Sequence, residues 1–343
     1  MKRRNSIRKL KTSGFGRAFR PIMLRLTKLA VTVLLLLAFG LARTAWADPN
    51  QGPGGPILVV TSSSSPFSRY YAEILRAEGL NSFAVADLPA VNATTLATYD
   101  VVILARAALS GTQLTMFTSW VNGGGHLIAM DPDPSLASLL GITPTGTTLS
   151  EGYLRVDSST RAGSGIASQT MQFHGVAQLY TLSGATSLAQ LYSDASNATP
   201  YAAVTIRDVG SNGGRVAAFT FDLARSIVYT RQGNPAWAGE ERDGNFPIRS
   251  DDLFFGNAAG DPQPDWVDHN KISIPQADEQ QRFLANLILD INRDRKPLPR
   301  FWYFPNGHKA VVLMTGDDHG NGGTAGRFDD FLAKSPPGCS VAN

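Results

Sequence analysis

The residues best suited to chemistry lie near the C-terminal end of this 343-residue chain. Lys309-Ala-Val-Val-Leu-Met-Thr315 has the composition of a buried strand, and Gly316-Asp317-Asp318-His319-Gly320 follows at once. Adjacent carboxylates at a strand end repel one another unless a cation or a proton-transfer role offsets the repulsion. A metal held there would polarise a carbonyl and activate a water, and a carboxylate would take the proton. The alternative is a turn carrying two exposed aspartates. Upstream, Asp131 and Asp133 alternate with prolines directly after His126-Leu-Ile-Ala-Met130. They suit a metal or a sugar hydroxyl at a strand end, and equally a proline-braced turn with an aspartate helix cap. Asp222 and Arg225, three apart after an apolar run, either face one cleft or form an ion pair that caps a helix. His174 in Gln172-Phe-His-Gly175 is a loop histidine, structural or cleft-lining, and His126 reads as a satisfied sheet residue. Arg249, Asp251, Asp252, Asp265, Asp268 and His269 are either recognition groups for a hydroxylated ligand or a solvated acidic loop.

These side chains need a frame, and the apolar runs supply it. Ile57-Leu-Val-Val-Thr61, Ser82–Val85, Asp100–Ala105, His126–Met130 and Val216–Phe221 read as buried strands. Between them, Pro66–Gly79 and Thr112–Asn122 have helical spacing and glycine stops. Strands alternating with helices predict βαβ units and a parallel sheet covered on both faces. The right-handed crossover rule makes this a doubly wound, mostly parallel, flavodoxin-like sheet. Short strand-like runs at Gly152–Val156, Ala177–Leu182, Leu188–Tyr192 and Tyr201–Ile206 predict an antiparallel extension of that sheet. Asn234–Asp268, rich in Gly, Pro, Asp and Trp, predicts a long irregular loop. Gln276–Asn292 carries the clearest helical stripe, through Phe283, Leu284, Leu287, Ile288 and Ile291, with Pro275 at its first turn.

The N-terminus sets the compartment. Residues 1–28 hold ten Lys or Arg and no acid, Leu29–Leu41 is uncharged, and Ala45-Trp46-Ala47 precedes Asp48. Basic, apolar, then small: this is the order of a secretory signal, with cleavage after Ala47. The alternative is an uncleaved membrane anchor, although the apolar run is shorter than the roughly 20 residues that span a bilayer. Eleven of the 31 basic residues and none of the 28 acidic ones lie in 1–47, which leaves 20 against 28 and a net charge of −8. Basicity therefore gives no reason to expect a nucleic-acid partner. The single cysteine, Cys339, permits no internal disulfide. The expected organisation is a signal peptide at 1–47, a Gly/Pro linker at 48–56, an α/β domain at 57–296 and a further segment at 297–343, exported to the periplasm or the extracellular space.

Two resemblances add to this. The α/β arrangement with Asn122-Gly-Gly-Gly-His-Leu-Ile-Ala-Met130 resembles the class I glutamine-amidotransferase-like and ThuA-like families, over roughly Ile57–Asn292. Active amidotransferases carry a cysteine at the elbow after such a strand. Here the strand runs into Asp131, so that thiolate chemistry is excluded. The resemblance implies a ligand cleft at the strand C-termini without amidase activity. Thr315-Gly-Asp-Asp-His319 resembles the first motif of the polysaccharide deacetylases of carbohydrate esterase family 4, commonly Thr-Phe-Asp-Asp-Gly. That resemblance implies Asp317 as general base and Asp318 as ligand to a divalent metal, usually zinc, with His319 an extra ligand or a loop residue. Gly316 and His319 depart from the motif. The family's two histidine ligands come from a later motif, and no histidine follows His319 here. The expectation is the exported N-terminal portion of a metal-dependent polysaccharide deacetylase, inactive alone, closing on the first strand of a truncated (β/α) barrel. Its partner would be a polysaccharide or cell-wall glycan, with membrane contact only through an uncleaved signal. The alternative is a non-catalytic module that binds a glycan or a partner.

Overall fold

A computed structural model of the chain describes residues 52–301 except 243, 245 and 257–264. The chain divides into two compact units, Met1–Pro299 and Arg300–Asn343, and every described helix and strand belongs to the first. Asp317, Asp318 and His319 lie outside the described residues.

The first half alternates strand and helix: β1 (Ile57–Thr61), α1 (Tyr70–Ala77), β2 (Phe83–Asp87), α2 (Ala93–Leu96), β3 (Val101–Leu104), α3 (Gly111–Asn122), β4 (His126–Met130) and α4 (Ala137–Leu140). Seven strands follow: β5 (Ile142–Ser150), β6 (Tyr153–Val156), β7 (Met171–Gln172), β8 (Val176–Leu182), β9 (Thr186–Tyr192), β10 (Ala198–Val209) and β11 (Gly214–Phe219). Two helices close the unit, α5 (Leu223–Gln232) and α6 (Gln276–Ile291).

Nine strands form one sheet in the order β2-β1-β3-β4-β11-β10-β9-β6-β7. The first five are parallel throughout, and the remainder are antiparallel. The fold is therefore mixed α/β with a parallel half and an antiparallel half sharing one sheet. β1, β3 and β4 are buried at every position, as strands covered on both faces must be. Their side chains divide by the two-residue period. Ile57, Val59, Ile103, Ile128 and Met130 meet α1, α5 and α6 on one face. Leu58, Val60, Leu104, Leu127 and Ala129 meet α2, α3 and α4 on the other. On α6 the expected stripe packs as read: Phe283, Leu284, Leu287, Ile288 and Ile291 are all buried in the first cluster. Asp278 and Glu279 sit in its first turn, where carboxylates favour the helix dipole. A capping box between Ser110 and Gln113 fixes the start of α3.

Two expectations change. Ala177–Leu182 does not extend the main sheet: β8 pairs with β5 in a separate antiparallel ribbon. β5 has no alternating apolar pattern and is mostly exposed, so its partner strand, not its own sequence, holds it extended. The first helix starts at Tyr70, not Pro66, because Ser65–Arg69 form a turn stabilised by the Ser68 hydroxyl donating to the Ser62 carbonyl at 3.0 Å. The described part of Asn234–Asp268 is irregular apart from two 3-10 turns, Pro235–Trp237 and Ser250–Leu253. No helix among the described residues is long and apolar enough to cross a membrane.

Candidate ligand cleft

The C-terminal ends of β1, β3 and β4 open into a cleft of about 420 Å³. Ser64, Arg106, Ala107, Asp131, Pro132 and Gln178 contribute to its lining. In the strand order β2-β1-β3 the direction of winding reverses between β1 and β3, and open sheets bind ligands beside such a reversal.

Register builds the cleft's polar pair. Leu104 is paired with Ala129 across the parallel β3–β4 ladder. Arg106 and Asp131 each stand two residues further on, so the fold places them side by side. Arg106 Nε lies 3.1 Å from Asp131 Oδ2. The Arg106 side chain is 61% exposed and the Asp131 side chain only 9%. Asp131 adopts a left-handed backbone, φ 40°, while its N–H still donates to the Phe219 carbonyl at 2.9 Å. The strand ladder thus holds a turn that points a carboxylate into a desolvated place. Burial pushes that carboxyl up to about 6. Arg106 opposes the shift, Asp222 adds to it, and Arg225 opposes it more weakly.

Asp222 follows β11 and caps α5, accepting from the Arg225 N–H at 3.4 Å. The Tyr71 hydroxyl donates to the same Asp222 oxygen at 2.8 Å and accepts from the Ala224 N–H at 3.3 Å. Burial raises the Asp222 carboxyl despite these donors. Burial and the neighbouring Asp222 also hold the Tyr71 hydroxyl well above its ordinary value. Asp133 behaves differently. Its two oxygens accept the N–H groups of Ser135 at 2.8 Å and Leu109 at 2.9 Å. Burial works to raise its carboxyl, but those hydrogen bonds bring it below the usual carboxylate value. Asp133 is therefore a saturated cap, and Asp131 is the carboxylate left to the cleft.

Asp131 and Asp133 line the cleft, while Asp222 and Arg225 act on Asp131 through their charge without entering the lining. His174 does not join the lining. Its Nδ1 pairs with Glu151 at 2.9 Å, and its ring stacks on Trp266 at 4.1 Å. Arg225 runs past Gly175, with its guanidinium 5.0 Å from the Tyr229 ring centre. The long-loop charges are used structurally: Asp252 accepts the N–H groups of Arg242 and Arg249 within the loop, and Asp268 ties the loop to β6 by accepting the Tyr153 hydroxyl at 3.0 Å. His126 lies at the opposite end of β4, where burial, Arg295 and Arg215 lower it to about 4. Among the described residues no three His, Cys, Asp or Glu side chains are arranged to hold a metal ion.

Sequence reasoning missed Arg106, Tyr71 and Gln178. Arg106 was legible by the rule that found Asp131, as the first charge after a buried strand. Tyr71 reads as part of an apolar helix face, and nothing in the sequence connects it with Asp222, 151 residues away.

No family model and no curated protein matches the chain. Among solved structures, a cold-adapted β-galactosidase from Rahnella sp. R3 is similar at 15% identity and TM-score 0.39, over 48% of this chain and 28% of that one. An exo-β-1,4-mannosidase from Opitutaceae bacterium strain TAV5 is similar at 12% identity and TM-score 0.39, over 52% and 33%. A cytoplasmic protein from Salmonella typhimurium LT2 is similar at 13% identity and TM-score 0.37, over 48% and 88%. The matched part is a third or less of each glycosidase. Likeness at this level carries no statement about activity.

Proposed function

We propose that this chain is an exported glycan-handling protein. In this reading a flavodoxin-like, amidotransferase-type domain without a nucleophile holds the polysaccharide, and the Thr315–His319 motif belongs to a metal-dependent deacetylase segment. The observation that carries the binding role is the Arg106–Asp131 pair at the mouth of a polar cleft, set at strand C-termini beside a reversal of winding. A partly desolvated donor and acceptor suit hydroxyl recognition, and no cysteine lies within the domain to attack a bound amide or ester. The deacetylase role rests on the sequence motif, with Asp317 as base and Asp318 and His319 as ligands to a divalent metal, zinc by family resemblance.

Calorimetric titration of the full chain with neutral tetrasaccharides of the chitin, cellulose and mannan types tests the binding role. Binding to at least one that Asp131→Ala abolishes is expected, and binding to none would sink it. Acetate release from acetylated chitooligosaccharides with added zinc tests the motif: none is expected from this chain alone, and zinc-dependent release that Asp317→Asn abolishes would overturn that expectation.

A further inference from the structure

Resting on the glycan-binding reading, we propose that the Arg106–Asp131 pair recognises a vicinal diol, so that the ligand is a neutral sugar ring with two free adjacent hydroxyls. The ion pair is made between Arg106 Nε and Asp131 Oδ2 at 3.1 Å. The two terminal guanidinium nitrogens, on a largely exposed side chain, remain as donors. Oδ1 remains as an acceptor. Donor and acceptor therefore lie side by side on one edge. Adjacent hydroxyls match that edge: one donates to the carboxylate while its neighbour accepts from the guanidinium. A secondary acetamide matches poorly, because its trans amide aims N–H and C=O in opposite directions.

The rest of the lining agrees with a neutral ring. Asp133 has both oxygens committed to backbone N–H groups, so it adds no second acceptor. Ser64 and Gln178 supply polar groups that both donate and accept, and Ala107 and Pro132 supply short apolar wall. An anionic ring would meet Asp131, with Asp222 behind it. A cationic ring would meet the exposed Arg106.

The same geometry makes recognition sensitive to protonation, since a protonated Asp131 loses acceptor capacity and its attraction to Arg106. The groups that face Asp131 are Arg106 after β3, Asp222 and Arg225 at the start of α5, Tyr71 from α1, Tyr180 from β8 and Asp133 on its own turn. With the carboxyl near 6, binding should weaken between pH 7.5 and 5.

The test is calorimetry on the full chain with cellotetraose and β-1,4-mannotetraose, whose internal rings carry free 2,3-diols, against tetra-N-acetylchitotetraose, whose internal rings do not. We expect at least one diol-bearing tetrasaccharide to bind about tenfold more tightly than the acetylated one at pH 7.5, a factor within what one unpaired buried hydrogen-bonding group costs. Arg106→Gln, which keeps a side-chain amide donor but removes the charge, should erase that preference, with urea unfolding confirming that the variant is folded. Asp131→Asn should flatten the pH dependence. Equal or tighter binding of tetra-N-acetylchitotetraose, or a preference that survives Arg106→Gln, would overturn the diol assignment while leaving glycan binding intact. A pH dependence that survives Asp131→Asn would overturn the protonation step. Absence of binding by all three sugars would overturn both this inference and the reading beneath it.

Discussion

Asp131→Asn isolates the energetic cost of the cleft's carboxylate from its role in binding. Burial lifts this carboxyl from 3.8 to about 6. At about 1.4 kcal/mol per unit, the ionised form costs the fold roughly 3 kcal/mol relative to the protonated form. The sign follows from the direction of the shift. The folded state binds the proton more tightly than the unfolded chain, so the associated stability is fully present below pH 3.8. It falls as pH rises through about 6 and is gone above it. Asparagine carries no charge to desolvate, keeps an acceptor for Arg106, and tolerates the left-handed φ of 40° as well as aspartate does. The stability difference between variant and parent should therefore move in favour of the variant by roughly 2–3 kcal/mol between pH 4 and pH 8, with most of the change falling between about pH 4 and 6 and centred near pH 5. Urea unfolding of both proteins at half-unit pH steps measures it, as a difference that cancels every other titrating group. A flat difference, or one that moves in favour of the parent as pH rises, would refute the burial argument.

Three further outcomes follow from packing. Phe283→Ala empties a wholly buried position on α6 and should cost about 3–5 kcal/mol in chemical denaturation. Gly214→Ala would set a Cβ 2.0 Å from the Val121 carbonyl oxygen, a backbone atom that cannot move aside. The variant should melt well below the parent or fail to accumulate. Tyr71→Phe deletes the hydroxyl that bridges Asp222 and the Ala224 N–H, and should cost about 1–3 kcal/mol, because both partners stay buried. Its loss should be larger at pH 8 than at pH 4, where a raised Asp222 carboxyl is more often protonated.

The parallel half of the sheet was legible because its strands need no context. Ile57–Thr61, Asp100–Ala105 and His126–Met130 are continuous apolar runs, and only a strand covered on both faces uses such runs at that length. The Phe283–Ile291 stripe was legible for the same reason at helical period. The ribbon was not. Ile142–Ser150 is rich in Thr and Gly, and only pairing with Val176–Leu182 makes it a strand. α5 hid behind a cap: Asp222 marks its start, but Leu223–Gln232 mixes polar and apolar residues closely enough to mask the period. At the cleft, the carboxylates could be seen and their partners could not. Arg106 meets Asp131 through a register that fixes residues 25 apart, and a single sequence states no register.

The pairing of β4 with β11 also governs when this molecule can become itself. His126 and Arg215 are neighbours in the finished ladder, yet the whole antiparallel half lies between them in the chain. Until residue 219 is available, β4 presents an open edge of unpaired backbone N–H and C=O groups. Until α6 is available, the face carrying Ile128, Met130 and Phe219 stays only partly covered, by α1 and α5. Closing long loops before they are rewarded by contacts slows folding. An emerging chain must therefore carry a sticky half-sheet for as long as it takes to reach residue 291, and a fragment ending between 131 and 275 should aggregate instead of folding.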